Sequence, residues 1–183
     1  MTTTKLIESV AAEIRLATEK LKLPTEYHDE KTRRLAETWR KVNVYEQYIP
    51  RDLFENDNYY PCATVEFLEL HDDLKAGSTA TVAITCGVFA KEANAWKDAF
   101  ELMELIRRRL LSVRTVAERF RLTGDFVWQT VSTQPTPFYF LYGEATYEIF
   151  QPQEAVPSIV SPDLLTVETP KILQVDKFKR RVR

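Results

Sequence analysis

Hydrophobic positions recur at helical spacing near the start of the chain. The repeating apolar residues, separated by four or three positions, are Leu6, Val10, Ile14, Ala17 and Leu21. Charged residues fill the opposite face, so the pattern predicts an amphipathic first helix. Threonines at positions 2 to 4 can cap it, and Pro24 ends it at or before Leu23. Residues 25–40 are polar and charged, and we expect a loop or a short helical turn there.

From Val42 the hydrophobic period changes to two, which is typical of β-strands. The first predicted strand covers Val42–Ile49 and ends at Pro50, and a polar loop over 51–60 follows it. The next strand has Ala63, Val65 and Phe67 on its inward face and leads into an acidic turn over His71–Ser78. A third strand is predicted over Thr79–Phe89, with Val82, Ile84, Cys86 and Val88 buried. Two further strands are predicted later in the chain, over Phe126–Ser132 and Phe138–Phe150.

A second, longer helix is predicted from about Ala95 to Val113, with Asn94 as its N-cap. Its apolar positions cover about half the circumference, which indicates two buried contacts. They are Trp96, Ala99, Phe100, Leu102, Met103, Ile106, Leu110, Leu111 and Val113. Arg107 falls within this apolar arc, and Leu105 stands alone on the polar side. A buried arginine needs a partner. Two alternatives follow for Arg107: an ion pair inside the domain, or a contact across a subunit interface.

The order of these elements predicts an α+β fold. We expect a mostly antiparallel sheet of about four to five strands, covered on one face and packed by two main helices. This domain is predicted to span residues 1–150. Residues 151–183 are predicted to form an extended arm, because Pro152, Pro157, Pro162 and Pro170 interrupt any regular element.

Composition narrows the class of protein only in part. The chain has 25 Lys/Arg and 27 Asp/Glu, a net charge of −2, so no overall basic charge points to nucleic-acid binding. Cys62 and Cys86 lie inside apolar runs and are predicted to be buried thiols in a reducing compartment, although a bridge between neighbouring strands is a second alternative. No apolar run has the length of a membrane span, and the start lacks the apolar core of a signal peptide. We therefore expect a soluble protein that is intracellular when made.

The sequence has no recognisable catalytic or cofactor motif. His28 and His71 lack neighbours at metal-ligand spacing, and the glycines do not form a phosphate-binding loop. The acidic residues Glu66, Glu69, Asp72 and Asp73 lack the alternating oxygen ligands of a calcium loop. We expect no enzyme activity, no metal and no cofactor. Instead Glu69, Asp72 and Asp73 are candidates for the wall of a channel that carries DNA, with a solvated hairpin tip as the alternative.

The end of the chain carries concentrated positive charge. The basic residues of its last segment are Lys177, Lys179, Arg180, Arg181 and Arg183. One interpretation is a solvated tail. The other is an arm that contacts a neighbouring acidic protein or phosphates, with a reach of up to roughly 100 Å at ~3.3 Å per extended residue. Such a reach is of most use in an assembly.

Several segments between Val42 and Phe150 together resemble the tail terminator proteins of long-tailed bacteriophages and related contractile tail particles. They are Val42-Asn-Val-Tyr-Glu-Gln-Tyr-Ile-Pro50, Tyr60-Pro-Cys-Ala-Thr-Val-Glu-Phe67, Val82-Ala-Ile-Thr-Cys-Gly-Val-Phe89, Leu105-Ile-Arg-Arg-Arg-Leu-Leu111, Phe120-Arg-Leu122 with Trp128, and Gln134-Pro-Thr-Pro-Phe-Tyr139 with Gly143-Glu144 and Tyr147. The resemblance covers about 110 residues, and it rests on the order of the segments, since each alone is a common strand or helix pattern.

The resemblance implies a structural virion protein that is assembled in the host cytoplasm. Such a protein forms a hexameric ring, caps the tail tube, stops its growth and offers the docking surface for the head. The implied partners are other copies of the chain, the tail tube protein, a head-completion or neck protein and, in contractile particles, the sheath protein; DNA is passing cargo. We expect Arg107, Arg108, Leu105, Val44 and Tyr48 to contribute to the ring contact. The rival readings are another head–tail connector and a monomeric binding module or enzyme.

Overall fold

The computed structural model describes residues 2–28, 35–55, 59–73, 77–89, 95–132, 134 and 137–149. All of these lie in the first of two units of the chain, which runs from Met1 to Gln151. The elements follow in the order α1 (Thr2–Thr18), β1 (Lys22–His28), β2 (Leu35–Lys41), β3 (Asn43–Glu46), α2 (Arg51–Glu55), β4 (Cys62–Asp73), β5 (Gly77–Phe89), α3 (Ala95–Val113), β6 (Thr115–Val116), β7 (Phe120–Thr130) and β8 (Phe138–Ile149).

A six-stranded sheet forms the centre of this unit, in the order β3-β4-β5-β8-β7-β6. Its strands are antiparallel except for β3 and β4, which run parallel. A parallel pair needs a crossover, and the segment that contains α2 provides it. The α+β class and the mostly antiparallel sheet are therefore confirmed. The predicted number of four to five strands was too low.

Helices α1 and α3 pack on one face of the sheet and bury the main core. The core side chains from the helices are Leu6, Val10, Ile14, Ala99, Leu102, Met103, Ile106 and Leu110. Those from the central strands are Ala63, Val65, Val82, Ile84, Cys86, Val88, Leu141, Ala145, Tyr147 and Ile149. The strands supply every second residue, as period-two burial requires. The predicted inward positions of β5 are thus confirmed, as are the bounds of α3.

A second, smaller cluster covers one end of the opposite sheet face. Tyr59, Tyr60 and Cys62 are buried there, and the rings of Tyr60 and Phe138 are stacked with centroids 4.9 Å apart. The expectation of a sheet covered on one face alone was therefore incomplete. Cys62 and Cys86 are both free and buried, which agrees with the predicted buried thiols and not with a bridge.

Residues 25–40 were expected to form a loop or a short helical turn. Within that range, residues 25–28 and 35–40 instead belong to the antiparallel strands β1 and β2, and residues 29–34 lie outside the described part of the chain. Pro24 pairs with Trp39 in this strand pair, where a two-stranded sheet tolerates a residue without an N–H. Leu23 and Thr25 are buried, whereas Trp39 is 65% exposed. The two strands are rich in polar and charged residues and lack a clear alternation of apolar side chains, so the pattern did not reveal them.

The predicted acidic turn over His71–Ser78 was too long, because both strands continue into it. His71, Asp72 and Asp73 belong to β4, and Asp73 pairs with Gly77 at the start of β5. Residues 74–76 lie outside the described part of the chain. The pairing of β4 with β5 thus extends beyond the hydrophobic core. The polar side chains there are exposed to solvent, and the backbone hydrogen bonds between the two strands continue.

Strand β7 begins at Phe120, six positions before the predicted strand. The pairing of β7 with β8 shifts register between Thr123 and Val127. Gly124 has a φ of 78°, which glycine adopts more readily than residues with a Cβ atom. The irregularity is therefore a bulge within one long strand.

Three smaller differences concern exposed segments. Strand β3 covers only part of the predicted Val42–Ile49 strand, because Gln47 has a φ of 66° that ends the extended run. The expected loop over 51–60 contains the short helix α2. Trp96, placed on the buried arc of α3, is 42% exposed, since it lies in the first turn of that helix. The predicted cap Asn94 lies outside the described residues.

Candidate interaction surfaces

The outward side of α3 holds a three-membered ion cluster. Arg107 donates two hydrogen bonds to the Glu104 carboxylate, at 2.8 Å from Nε and 2.7 Å from Nη2. Arg108 donates a third through Nε at 3.1 Å. These pairs form because residues three and four positions apart share a helix face. Arg107 is therefore not enclosed in an apolar arc; of the two alternatives, the structure has the ion pair within the domain, with the side chain 34% exposed.

This cluster changes the acidity of its carboxyl group. The hydrogen bond from Arg107 is the largest cause, and it lowers the pKa of Glu104 from 4.5 to about 2. The bond from Arg108 and the charges of both arginines act in the same direction. Glu104 consequently stays ionised across the physiological range and holds the two guanidinium groups in place.

An aromatic groove lies between this face of α3 and strand β7. Its volume is about 480 Å³, and its lining residues are Phe100, Glu101, Glu104, Leu105, Arg108 and Trp128. The ring of Phe100 meets Trp128 edge to face at a centroid distance of 5.1 Å and meets Trp96 in the same way at 5.5 Å. The lone Leu105 of the sequence pattern thus contributes to a shared apolar surface. The structure brings together Leu105 and Arg108, and adds Phe100 and Trp128.

A second apolar surface lies at the opposite edge of the sheet, around β3. Tyr48 follows that strand and is 74% exposed. Beside it a groove of about 300 Å³ is lined by Thr3, Thr4, Ile7, Glu8, Glu46, Gln47, Tyr48 and Phe67. Val44 belongs to β3 itself and is half-buried against the main core. Of the two predicted interface residues here, Tyr48 is accessible and Val44 largely serves packing.

Arg15 of α1 covers the outer edge of β3. Its Nη2 donates to the Val44 carbonyl oxygen at 3.1 Å and to Glu46 Oε1 at 2.8 Å. Gln47 supports the same region by accepting a hydrogen bond from the Phe67 N–H through Oε1. The sequence pattern did not single out Arg15, because its role depends on how α1 lies against a strand about thirty residues later.

Positive charge lies at the end of β2, in a groove that shares no lining residue with the Tyr48 surface, the groove beside Tyr48 whose own charged residues are Glu8 and Glu46. Arg40 and Lys41 at the end of β2 line a groove of about 310 Å³ together with Asn43, Tyr45 and Leu53. Burial raises the pKa of the Tyr45 hydroxyl, while the charge of Arg40 acts to lower it. By contrast, negative charge gathers on the first half of α3, where burial and the charge of Glu101 raise the pKa of Asp98.

Carboxylates gather on the sheet face opposite α1 and α3. Glu66 and Glu144 both pair with Ala83 from its two sides, and Glu69 pairs with Thr81 in the next row. A shift of register between Phe67 and Glu69 places Glu69 on the same face as Glu66. We call this the acidic face, defined by Glu66, Glu69, Asp73, Glu144 and Glu148.

The acidic face is a hydrogen-bonded surface. Tyr142 donates to Glu144 Oε1 at 2.8 Å, and burial, followed by this bond, raises the pKa of Tyr142 to about 12. Arg121 pairs with Glu148 at 2.8 Å. Of the predicted channel residues, Glu69 and Asp73 lie on this face, whereas Asp72 points to the other side by strand alternation. Glu66 and Glu144 were not selected from the sequence, because only the strand register brings them together.

The remaining candidate residues, Lys177, Lys179, Arg180, Arg181 and Arg183, lie outside the described residues. Within the described ranges, no group of three or more His, Cys, Asp or Glu side chains is arranged to hold a metal ion. No helix in that part of the chain is long and apolar enough to cross a membrane.

Two comparisons with known proteins found no match to this chain. None of the models of known protein families matches it. No curated protein sequence matches it either. The tail terminator resemblance therefore rests on the order of its sequence segments.

Proposed function

We propose that this chain is the subunit of a hexameric ring that terminates a phage-type tail. The ring caps the tail tube, ends its polymerisation and presents a docking surface for a head-completion protein. In a contractile particle the last sheath ring is a further partner. DNA passes through the ring as cargo.

The observation that carries this proposal is the position of two unlike apolar surfaces at opposite edges of one sheet. The Tyr48 surface adjoins β3 at one end of the strand order, and the aromatic groove adjoins β7 near the other end. A ring is built from heterologous contacts, in which one patch of each subunit meets a different patch of the next. A chain with such patches at opposite edges suits that arrangement.

The acidic face supplies a surface suited to a DNA channel. Its carboxylates lie in adjacent rows on paired strands, and DNA carries one phosphate charge per ~1.7 Å of helix axis. Negative walls repel the phosphates and prevent adhesion during passage. A ring with this face inward would therefore let DNA slide without binding it.

Negative-stain electron microscopy of the protein, alone and mixed with its own tail tubes, tests the proposal. We expect rings, and caps at one end of tubes of limited length. Monomers that leave tube ends bare and tube growth unchanged would contradict it. Rings that bind only the head-completion protein, and not the tube, would assign the chain to the neck instead.

A further inference from the structure

The turn between β6 and β7 carries two arginines that have no ionic partner. Arg114 and Arg119 are exposed, and neither makes an ion pair among the described residues. Arg121 of the same hairpin is instead paired with Glu148 at 2.8 Å. Residues 114–121 contain three arginines and one glutamate, and we call them the basic turn.

Backbone hydrogen bonds hold the basic turn in place. The N–H of Arg119 donates to the carbonyl oxygen of Val116 at 3.2 Å, and the N–H of Leu122 donates to that of Arg114 at 2.6 Å. Val116 is buried in the main core, so the turn is anchored to the sheet. A charged side chain on a fixed backbone loses less conformational entropy on binding than one on a loose loop.

The opposite edge of the sheet ends in an acidic segment, residues 69–73, which contains three carboxylates and no Lys or Arg. Strand β3 pairs with β4 only as far as Val65, so among the described strands β4 is outermost in this segment. Asp72 is exposed there and makes no ion pair among the described residues. Leu70 lies on the same side of the strand by alternation and is 43% exposed. An arginine suits these two neighbours, because its stem covers apolar surface while its guanidinium binds a carboxylate.

The basic turn and the acidic segment stand level with each other. Asp72 pairs with Ser78, and Ser78 pairs with Ile149. Ile149 pairs with Phe120, which pairs with Val116 beside the basic turn. The two features therefore lie at the two ends of one row of residues across the sheet. Subunits of a ring are related by rotation alone, so surfaces that meet must lie at the same height along its axis.

We propose that the basic turn of one copy binds the acidic segment of the next copy, with Arg114 and Arg119 against Asp72. The proposal rests on the proposed function, since it specifies a contact that closes the ring. It places the strands along the ring axis and the acidic face toward the channel, so that each sheet edge faces one neighbour. Charge pairs across an interface select the partner and its register more than they add affinity.

Charge reversal with complementation tests the contact. Asp72→Arg and the double variant Arg114→Asp/Arg119→Asp each place like charges against each other. We expect each to raise the protein concentration needed for rings and tube caps by about tenfold. An equimolar mixture of the two variants should restore the rings, because a hexamer of alternating subunits has opposite charges at every contact. Mass photometry counts the hexamers, and negative-stain microscopy counts the capped tubes.

Glu19→Arg, in the turn that follows α1, makes the same charge change as Asp72→Arg and is the matched control. Reversed variants that assemble like the wild type, or a mixture that restores nothing, overturn the contact and leave the terminator proposal in place. Absence of rings and of tube caps from the wild type overturns both proposals. Loss in each variant and recovery in the mixture support the contact.

Circular dichroism shows whether each reversed variant is folded. If one is not, the neutral changes Asp72→Asn and Arg119→Gln replace it in a double-mutant cycle of ring assembly. We expect the two changes together to weaken assembly less than the product of their separate effects. Fully independent effects would overturn the contact.

Discussion

The hydroxyl of Tyr147 is buried in the main core, and no hydrogen-bond partner for it occurs among the described residues. Burial and the nearby charge of Glu13 raise its pKa, so the group stays neutral. A buried polar group without a partner costs about 1–3 kcal/mol. We expect Tyr147→Phe to raise the free energy of unfolding by about 1 kcal/mol in urea titrations. Tyr142→Phe, which removes a bonded hydroxyl, should give no such gain.

Glu104 makes the stability of the chain depend on pH. Its folded pKa of about 2 lies below the ordinary 4.5, so its ion pairs stabilise the fold fully above pH 4.5. That contribution falls as the pH drops from 4.5 through 2. We expect Glu104→Gln to lower the urea midpoint at pH 7, with the difference from wild type shrinking over this range. Glu101→Gln, one helical turn earlier, is the control. An equal decrease in the urea midpoint of that variant would contradict a specific role for the Glu104 ion pairs.

At the scale of elements, one ion pair joins the two helices that cover the sheet. Arg109 of α3 donates to Glu13 of α1, with its Nη2 at 2.7 Å from Oε2. The variants Glu13→Gln and Arg109→Gln should each lower the free energy of unfolding by about 1 kcal/mol, with positive coupling in the double variant. Lys5 and Glu8, 3.7 Å apart on the exposed surface, are the control pair, for which we expect coupling near zero. Equal coupling energies at the two pairs would contradict a specific role of the Arg109–Glu13 ion pair in joining the helices.

The elements differ in how far the sequence predicts them. Helix α3 and strand β8 were confirmed closely because each buries one side, and burial imposes a period on the residues. The strand pair of β1 and β2 was missed because its sequence is rich in polar and charged residues and lacks a clear apolar alternation. The first residues of β7 were missed because a bulge at Gly124 interrupts the alternation of that strand. The surfaces were predicted only in part: Leu105 and Arg108 lie on a helix face, whereas Trp128, Glu66 and Glu144 join their partners through strand pairing.

At the scale of the whole molecule, the proposed DNA channel depends on the negative charge of the acidic face. We expect Glu69→Lys/Glu144→Lys to fold and to form rings, because both side chains are exposed and lie away from the two docking surfaces. These rings should retain duplex DNA in a gel-shift assay at low salt and release it at high salt. The wild-type ring should not retain DNA at either. Rings of the variant that ignore DNA would contradict an inward acidic face.

The proposed contribution of α3 to the contact between ring subunits can be tested by charge reversal. Arg108 lines the aromatic groove and its side chain is 69% exposed, so Arg108→Glu should leave the fold intact. The change replaces the hydrogen bond to Glu104 by repulsion within the groove and reverses the charge of its wall, and we expect ring formation to weaken. Lys20→Glu, in the turn that follows α1, changes the charge equally and serves as the control. Gel filtration in the presence of tubes measures the loss. Unchanged rings from Arg108→Glu would remove α3 from the contact.

The hydrogen bond from Arg15 to the Val44 carbonyl oxygen also protects the β3 edge against aggregation into fibres. An open sheet can recruit further strands along an exposed edge, and the product is a fibre. Here a guanidinium occupies the edge of β3, while the bulge at Gly124 distorts the strand near the other edge. Growth by backbone pairing is thereby discouraged on both sides, and side chains are left to select the neighbour. If the chain ends the growth of a tail tube, as proposed, these two features keep the terminator from forming a polymer of its own.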